Sequence, residues 1–350
     1  MTIVVKIGTK ALTKDGHLDG RAIERLAEQI AALRAKRHRV LLVSSGAMGA
    51  GRGELDVKLA RHESLKDRQL FAAVGQPLLM AAYREAFKKF DIVPAQFLMT
   101  YHDFRERDHY MNLRTAVVCA LENNVLPVFN ENDAIATNEL KFGDNDRLSV
   151  LIAGLVNADA LVLLTDTEGL WSLDPVTGAC TKLISVLADD DLSWRKLCSP
   201  TASGQGGMLS KVATAQLAAR LGIAAYIGKA DTCDLFTIGP KWQGTRVEPA
   251  RKAASIQRWL ATNPLSDGAV VIDDGAVTAL KRHKSLLAVG VKRVEGAFRA
   301  GDLIDVETLA GDVVGKGIVG YGARSLATLV RLRKTKGVRE VIHCDKLVLL

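Results

Sequence analysis

The sequence predicts an α/β protein: a doubly wound, mostly parallel sheet followed by a small β-rich domain. Three observations carry that prediction. Short apolar runs rich in β-branched residues alternate with longer stretches of helical period, the pattern of βαβ units. After Gly239 the texture changes to a charged stretch that carries Pro240, Pro249 and Pro264. From Ala269 onward the apolar runs are short and are separated by Gly and Asp turns. These breaks divide the 350 residues into a first domain over 1–240, a linker or lid over 241–267 and a second domain over 268–350.

Each element has its own signal. Thr2 to Ile7 reads as the first strand. From Ala22 onward, Ile23, Leu26, Ile30 and Leu33 recur at spacings of three and four, which makes one apolar helix face. Val40 to Val43 is the second strand, and further strands are expected at Val93–Leu98, Leu126–Phe129, Ala160–Leu164 and Ile223–Ile227. Helices are expected near 66–90, 109–124, 146–157 and 209–221. In the second domain the runs AVVID, LLAVGVKRV, DLIDVET, GIVGY and LATLVRL read as the strands of a compact β unit. There is no internal repeat and no low-complexity tract.

Composition excludes several classes. With 48% hydrophobic and 25% charged residues, the chain has the makings of a large globular core and is not a disordered tail. Cys119, Cys180, Cys198, Cys233 and Cys344 include no CxxC pair, so neither a disulfide framework nor a thiolate zinc site is expected, and a cytoplasmic location fits. The opening MTIVVKIGTK enters a strand-like run at once and predicts no secretion signal. The most apolar stretch, Leu148 to Leu164, is interrupted by Asn157 and Asp159, short of the roughly 18–20 apolar residues of a membrane helix. The formal net charge of +8 suits nucleotide, acidic metabolites, RNA or a plain solvated surface, and alone decides among none of them.

In open α/β sheets ligands sit beyond the carboxyl ends of the strands, so polar residues there come first. Lys6 ends the first strand with Gly8 just beyond it, a placement that suits phosphate oxygens and is also common in strands without function. In the small-residue run SSGAMGAGR, Ser45 and Gly46 lie at the sheet edge before Ala47, Gly49, Ala50 and Gly51, either an anion cradle or a tight strand-to-helix turn. It is neither a Walker A nor a GxGxxG sequence. Asn130, Glu131, Asn132 and Asp133 follow one strand, and Asp144, Asn145 and Asp146 precede a helix. N-capping explains one of these seven residues, whereas amides and carboxylates together suit an amino-acid substrate. Thr165 and Asp166 follow a fully apolar strand, at a ligand edge or as a hairpin or helix cap. In SGQGGMLSK a glycine-rich turn enters a helix with Lys211 one turn on: a phosphate site, or a flexible loop with a solvated lysine.

Taken together in this order, VVKIGT, SSGAMGAGR, AAVGQ around Gly75 and Gln76, NENDAIAT, GDND, LLTDTEGLW and GGMLSK resemble the amino-acid kinase family, in its glutamate-phosphorylating branch, over nearly the whole chain. NEND with GDND separates that branch from sister kinases acting on aspartate or acetylglutamate. The resemblance implies ATP-dependent phosphorylation of the L-glutamate side-chain carboxylate to L-glutamyl 5-phosphate, the first step of proline biosynthesis, with feedback by proline. It implies that Lys6 and Lys211 neutralise the transferring phosphoryl group and that Asp146 orients both lysines. Lys6, Thr165, Asp166 and the loop Gln205, Gly206, Gly207, Met208, Leu209, Ser210 and Lys211 would hold ATP, and Ser45, Asp133 and Asn145 would bind glutamate. Mg²⁺ would ride mainly on the ATP phosphates, with no protein ligand assigned. Gln205 stands where the family usually has threonine, and Met48 and Trp171 are also atypical.

The C-terminal unit resembles a PUA domain. Lys281, Arg282, Lys284, Lys292 and Arg293 would support RNA binding, but basic clusters are more often solvated, and little aromatic residue is interleaved for base stacking. The rival from another class is an RNA-binding or regulatory protein with a vestigial kinase fold, which the presence of Lys6, Asp146 and Lys211 disfavours. A homo-oligomer, dimer or tetramer, and contact with the next enzyme of proline synthesis complete the expectations.

Overall fold

The computed structural model describes residues 1–14, 16–55, 64–100, 102–105, 107–136, 145–174, 176–177, 180–191, 207–249, 266–332 and 339–349. They form two compact units, Met1–Lys252 and Ala253–Leu350.

The first unit is built on an eight-stranded sheet. Its centre is β1 (Thr2–Ile7), flanked in parallel by β4 (Arg39–Ser44) and β7 (Ala160–Thr165). Beyond β4 lie β6 (Leu126–Glu131) and β5 (Pro94–Met99), and beyond β7 lies β11 (Ala224–Lys229), all parallel. The β-branched run TIVVKI is buried along its whole length, as the central strand of a parallel sheet must be when both faces are covered. The expected strands at 2–7, 40–43, 93–98, 126–129, 160–164 and 223–227 all lie within one or two residues of these elements.

The helices cover both faces. Asp19 caps α2 (Gly20–Ala35), its Oδ1 accepting from the amides of Arg21 and Ala22, and the expected face of Ile23, Leu26, Ile30 and Leu33 is buried. A reciprocal Ser64–Asp67 capping box starts α4 (Leu65–Lys88). These helices pack with Ile3, Val5 and Ile7 of β1 through Leu79, Tyr83 and Phe87. Side chains alternate along a strand, so Val4 and Lys6 face the other way. There α7 (Asn145–Leu155) lies against β1 and packs on α8 (Met208–Arg220).

Between α3 (Ala47–Leu55) and α4 the backbones touch. A Cβ on Gly75 would fall on the Ala47 carbonyl oxygen and the Gly51 amide, and one on Gly51 would fall on the Phe71 carbonyl. Two helices approach this closely only where both lack a side chain.

Within the segment expected as linker, β12 (Thr245–Val247) joins the same sheet antiparallel to β11, and the buried Trp242 donates from Nε1 to the Ile227 carbonyl at 2.9 Å. Residues 250–265 of that segment lie outside the described residues.

The second unit is a five-stranded sheet in the order β14 (Val291–Gly296), β13 (Gly268–Ile272), β15 (Leu303–Thr308), β16 (Val313–Ile318) and β17 (Leu347–Leu349). It carries its own core of Val270, Ile272, Ile304, Val306 and Leu326. One expectation fails here: LATLVRL is not a strand but part of α10 (Ala323–Arg331), whereas α9 spans Asp274–Lys281. Leu326, Leu329 and Val330 are spaced by three and four, a helical period that the short apolar run conceals, and only Leu326 is fully buried.

Gly75→Ala is expected to destabilise the chain by about 3 kcal/mol, although the same change inside an exposed helix stabilises by roughly 1 kcal/mol. Gly20→Ala, where an added Cβ meets nothing within 4 Å, is the control and should be neutral or stabilising in a urea or thermal melt.

Candidate active site

The carboxyl ends of the central strands gather the polar groups. Lys6 is 2% exposed, Lys211 is 7% exposed and Asp146 is fully buried. Buried charges are tolerated only when paired, and these three are paired with one another. Asp146 Oδ1 lies 2.5 Å from Lys6 Nζ and its Oδ2 lies 3.1 Å from Lys211 Nζ. Each comes from a different element: Lys6 from β1, Asp146 from the first turn of α7 and Lys211 from the first turn of α8. Two ammoniums that share one carboxylate form a cationic pair suited to anionic oxygens.

The other expected residues stand around it. Thr165 is buried at the end of β7, and its Oγ1 donates to Asp166 Oδ1 at 3.0 Å. Asp166 also pairs at 3.6 Å with Lys10, an exposed lysine that the sequence did not single out. Burial raises the Asp166 pKa, but the bonds from Thr165 and from its own amide, together with Lys10, outweigh it and hold the carboxyl below its usual value. Gly207 is the N-cap of α8, and Met208, Leu209, Ser210 and Lys211 form its first turn, where no acidic side chain competes for an anion. Gln205, Gly206 and Asp144 lie outside the described residues.

Next to Asp146 on α7, Asn145 Nδ2 donates to Ser45 Oγ at 2.9 Å, to the Ser44 carbonyl at 3.1 Å and to Asn130 Oδ1 at 2.9 Å. Ser44 Oγ in turn meets the Tyr83 hydroxyl at 2.7 Å in the core. A cavity of about 180 Å³, room for roughly six waters, is lined by Ala47, Gln76, Gln96, Glu131 and Asp133 among others. Ser45, Asp133 and Asn145 are the expected substrate residues; Ser44 shares the SSGAMGAGR motif with Ser45, whereas Tyr83 and Gln96 carry no local signal in the sequence.

No metal-ligand set stands in this site among the described residues: the single cluster of three His, Cys, Asp or Glu ligand atoms is His343, Cys344 and Asp345, in the second unit. Asp146 is already engaged by two lysines. The donor set fits phosphoryl oxygens, with any Mg²⁺ held by the phosphates that arrive with it.

The model of the Amino acid kinase family matches residues 1–229. The chain belongs to the amino acid kinase family. As a member it is a phosphotransferase, and the PUA domain model matches residues 268–342. Relatives named glutamate 5-kinase run its full length. The one from Marinomonas sp. (strain MWYL1) is 39% identical over 363 residues, covering 99% of this chain and 97% of the relative. Those from Chromohalobacter salexigens and Bacillus cereus (strain G9842) are 40% and 38% identical, each covering 99% of this chain, with 96% and 99% of the relative covered. A solved carbamate kinase from Giardia lamblia bound to AMP-PNP shares the kinase fold, with a TM-score of 0.50 and 18% identity over 71% of this chain and 98% of that one. Among the described residues no helix is long and apolar enough to cross a membrane.

Asp146→Asn, which removes the negative charge shared by two buried ammoniums, is expected to cost about 3 kcal/mol or more in a denaturation experiment. Asp166→Asn breaks an exposed pair and should cost under about 1 kcal/mol. Because the Asp166 pKa is lowered on folding, its contribution is present at neutral pH and is lost as the pH falls through the acid carboxylate range.

Proposed function

We propose that this kinase transfers the γ-phosphoryl group of ATP to the side-chain carboxylate of L-glutamate, giving L-glutamyl 5-phosphate and ADP. The observation that carries the reading is the buried Lys6–Asp146–Lys211 cluster, next along α7 to Asn145, in a chain whose full-length relatives are named for glutamate.

The chemistry asks little of the protein beyond placement and charge. A carboxylate is ionised at neutral pH, so no general base is needed. One carboxylate oxygen forms a bond to the γ-phosphorus as the bond from that phosphorus to the β,γ-bridging oxygen breaks, and ADP leaves with the electron pair. Lys6 and Lys211 stabilise the charge spread over the transferring oxygens, and Asp146 fixes where both ammoniums stand. Thr165, Asp166 and the stretch Gln205 to Lys211 hold the nucleotide, the first turn of α8 offering its amides to phosphate. Ser45, Asp133 and Asn145 receive glutamate. Mg²⁺ carried by the nucleotide adds charge neutralisation when bound.

On this reading the acyl phosphate enters proline biosynthesis as its first step. Feedback by proline, a dimeric or tetrameric assembly, hand-over to the next enzyme of proline synthesis and a cytoplasmic location follow as parts of the same proposal.

The test is ATP consumption with Mg²⁺ and hydroxylamine, comparing glutamate, aspartate, acetylglutamate and no acceptor. Hydroxamate is expected with glutamate alone, and Lys211→Ala should lower its rate on the order of 10²–10³-fold. Product from another acid would move the protein to a sister kinase, and none from any acid would defeat the proposal.

A further inference from the structure

Four carboxamides form a chain from the site to the cavity wall. Asn145 Nδ2 donates to Asn130 Oδ1 at 2.9 Å, Asn130 Nδ2 donates to Gln76 Oε1 at 2.8 Å, and Gln76 Nε2 donates to Gln96 Oε1 at 2.9 Å. They come from α7, β6, α4 and β5, and all the donors run in one direction. An amide can in principle turn over, exchanging donor for acceptor. Here two backbone groups forbid it. The Glu131 N–H donates to Asn130 Oδ1 at 2.9 Å, and the Ser44 carbonyl accepts from Asn145 Nδ2 at 3.1 Å. Turning Asn145 over would set its oxygen against a carbonyl and against Asn130 Oδ1.

The result is a buried acceptor with nothing to accept. Asn145 is 9% exposed, and its Oδ1 has no partner among the described residues. A buried acceptor left alone is costly, and the natural remedy is a ligand that brings a donor. An amino acid with two carboxylates offers one such group, its ammonium, and a charged donor makes the stronger bond.

We propose that Asn130 and Gln76 are positioning residues that hold Asn145 Oδ1 as a fixed acceptor for the substrate's free ammonium, so that the site favours α-amino dicarboxylates over the same acids without the amine. This rests on the reading of the site as a glutamate kinase. It adds how the glutamate backbone is told apart from a simple diacid, a distinction that the lysine cluster cannot make, because its charges see a carboxylate in either.

The experiment uses the full chain with ATP, Mg²⁺ and hydroxylamine, and reads the KM for glutamate, the KM for ATP and the inhibition constant of glutarate, which is glutamate without its amine. In the unaltered protein glutarate should bind at least about tenfold more weakly than glutamate. In Asn130→Leu the KM for glutamate should rise about tenfold while the glutarate constant and the KM for ATP move by less than about threefold, so that the discrimination collapses. Gln76→Glu keeps an acceptor facing Asn130 and lets Gln96 turn over to donate, so it should retain the discrimination that Gln76→Leu weakens. The Gln76 pair also decides the matter if Asn130→Leu fails to fold. Glutamate and glutarate weakening together would mean a merely structural role and would overturn the proposal, as would discrimination that survives in both leucine variants. An unaltered chain that makes no hydroxamate with glutamate defeats the functional reading instead, which is a separate outcome.

Discussion

One carboxylate held between two ammoniums organises this protein. Asp146 is fully buried and holds together two like charges, Lys6 on β1 and Lys211 on α8. The pairing is possible because the sheet order brings β1 between β4 and β7, with α7 and α8 packed over the face that Lys6 shares with Val4. The walls around the cluster, Val43 and Leu163 on the neighbouring strands, are themselves buried, and a low local dielectric strengthens whatever the charges meet. The same burial makes the arrangement unforgiving: Lys6 has to come from the register position of β1, and Lys211 from the turn of α8, whose side chain reaches Asp146.

That dependence explains what could be read in advance. The parallel strands were legible because a strand buried on both faces must be a continuous apolar run, and the helix at Gly20–Ala35 was legible because its buried stripe recurs at three and four. Lys6, Asp146 and Lys211 were legible as residues, since each stands where an apolar element meets a loop. Their convergence was not, because it is set by contacts between positions up to 205 residues apart, such as Lys6 and Lys211. Short elements were the least legible. Thr245–Val247 is too brief to show a period, and LATLVRL is so rich in apolar residues that its helical spacing is hidden by its composition. The Gly51–Gly75 contact was present in the motifs SSGAMGAGR and AAVGQ, yet only the packing of the two helices shows why neither glycine can carry a side chain.

On the proposed reading the site divides its labour between charges and dipoles, and the division follows from the chemistry. The nucleophile is a carboxylate that needs no activation, so any acid brought to the lysines in line with the nucleotide is a competent acceptor. Selection among acids has to come from the part of the substrate that does not react. A second charged pocket would serve this poorly: it would attract any opposite charge, the nucleotide's included, and would add to the desolvation that the lysine cluster already bears. Neutral carboxamides avoid both difficulties. They are buried at modest cost when each is bonded to the next, and unlike a point charge they have a donor end and an acceptor end. What remains is to stop them from turning over, and a backbone carbonyl at one end of the chain and a backbone amide beside Asn130 do so, because those groups belong to strands that the sheet already holds in place. The parallel sheet thus fixes Lys6 through its register, α8 brings Lys211 to meet it, and the strand ends at Ser44 and Glu131 fix the amides.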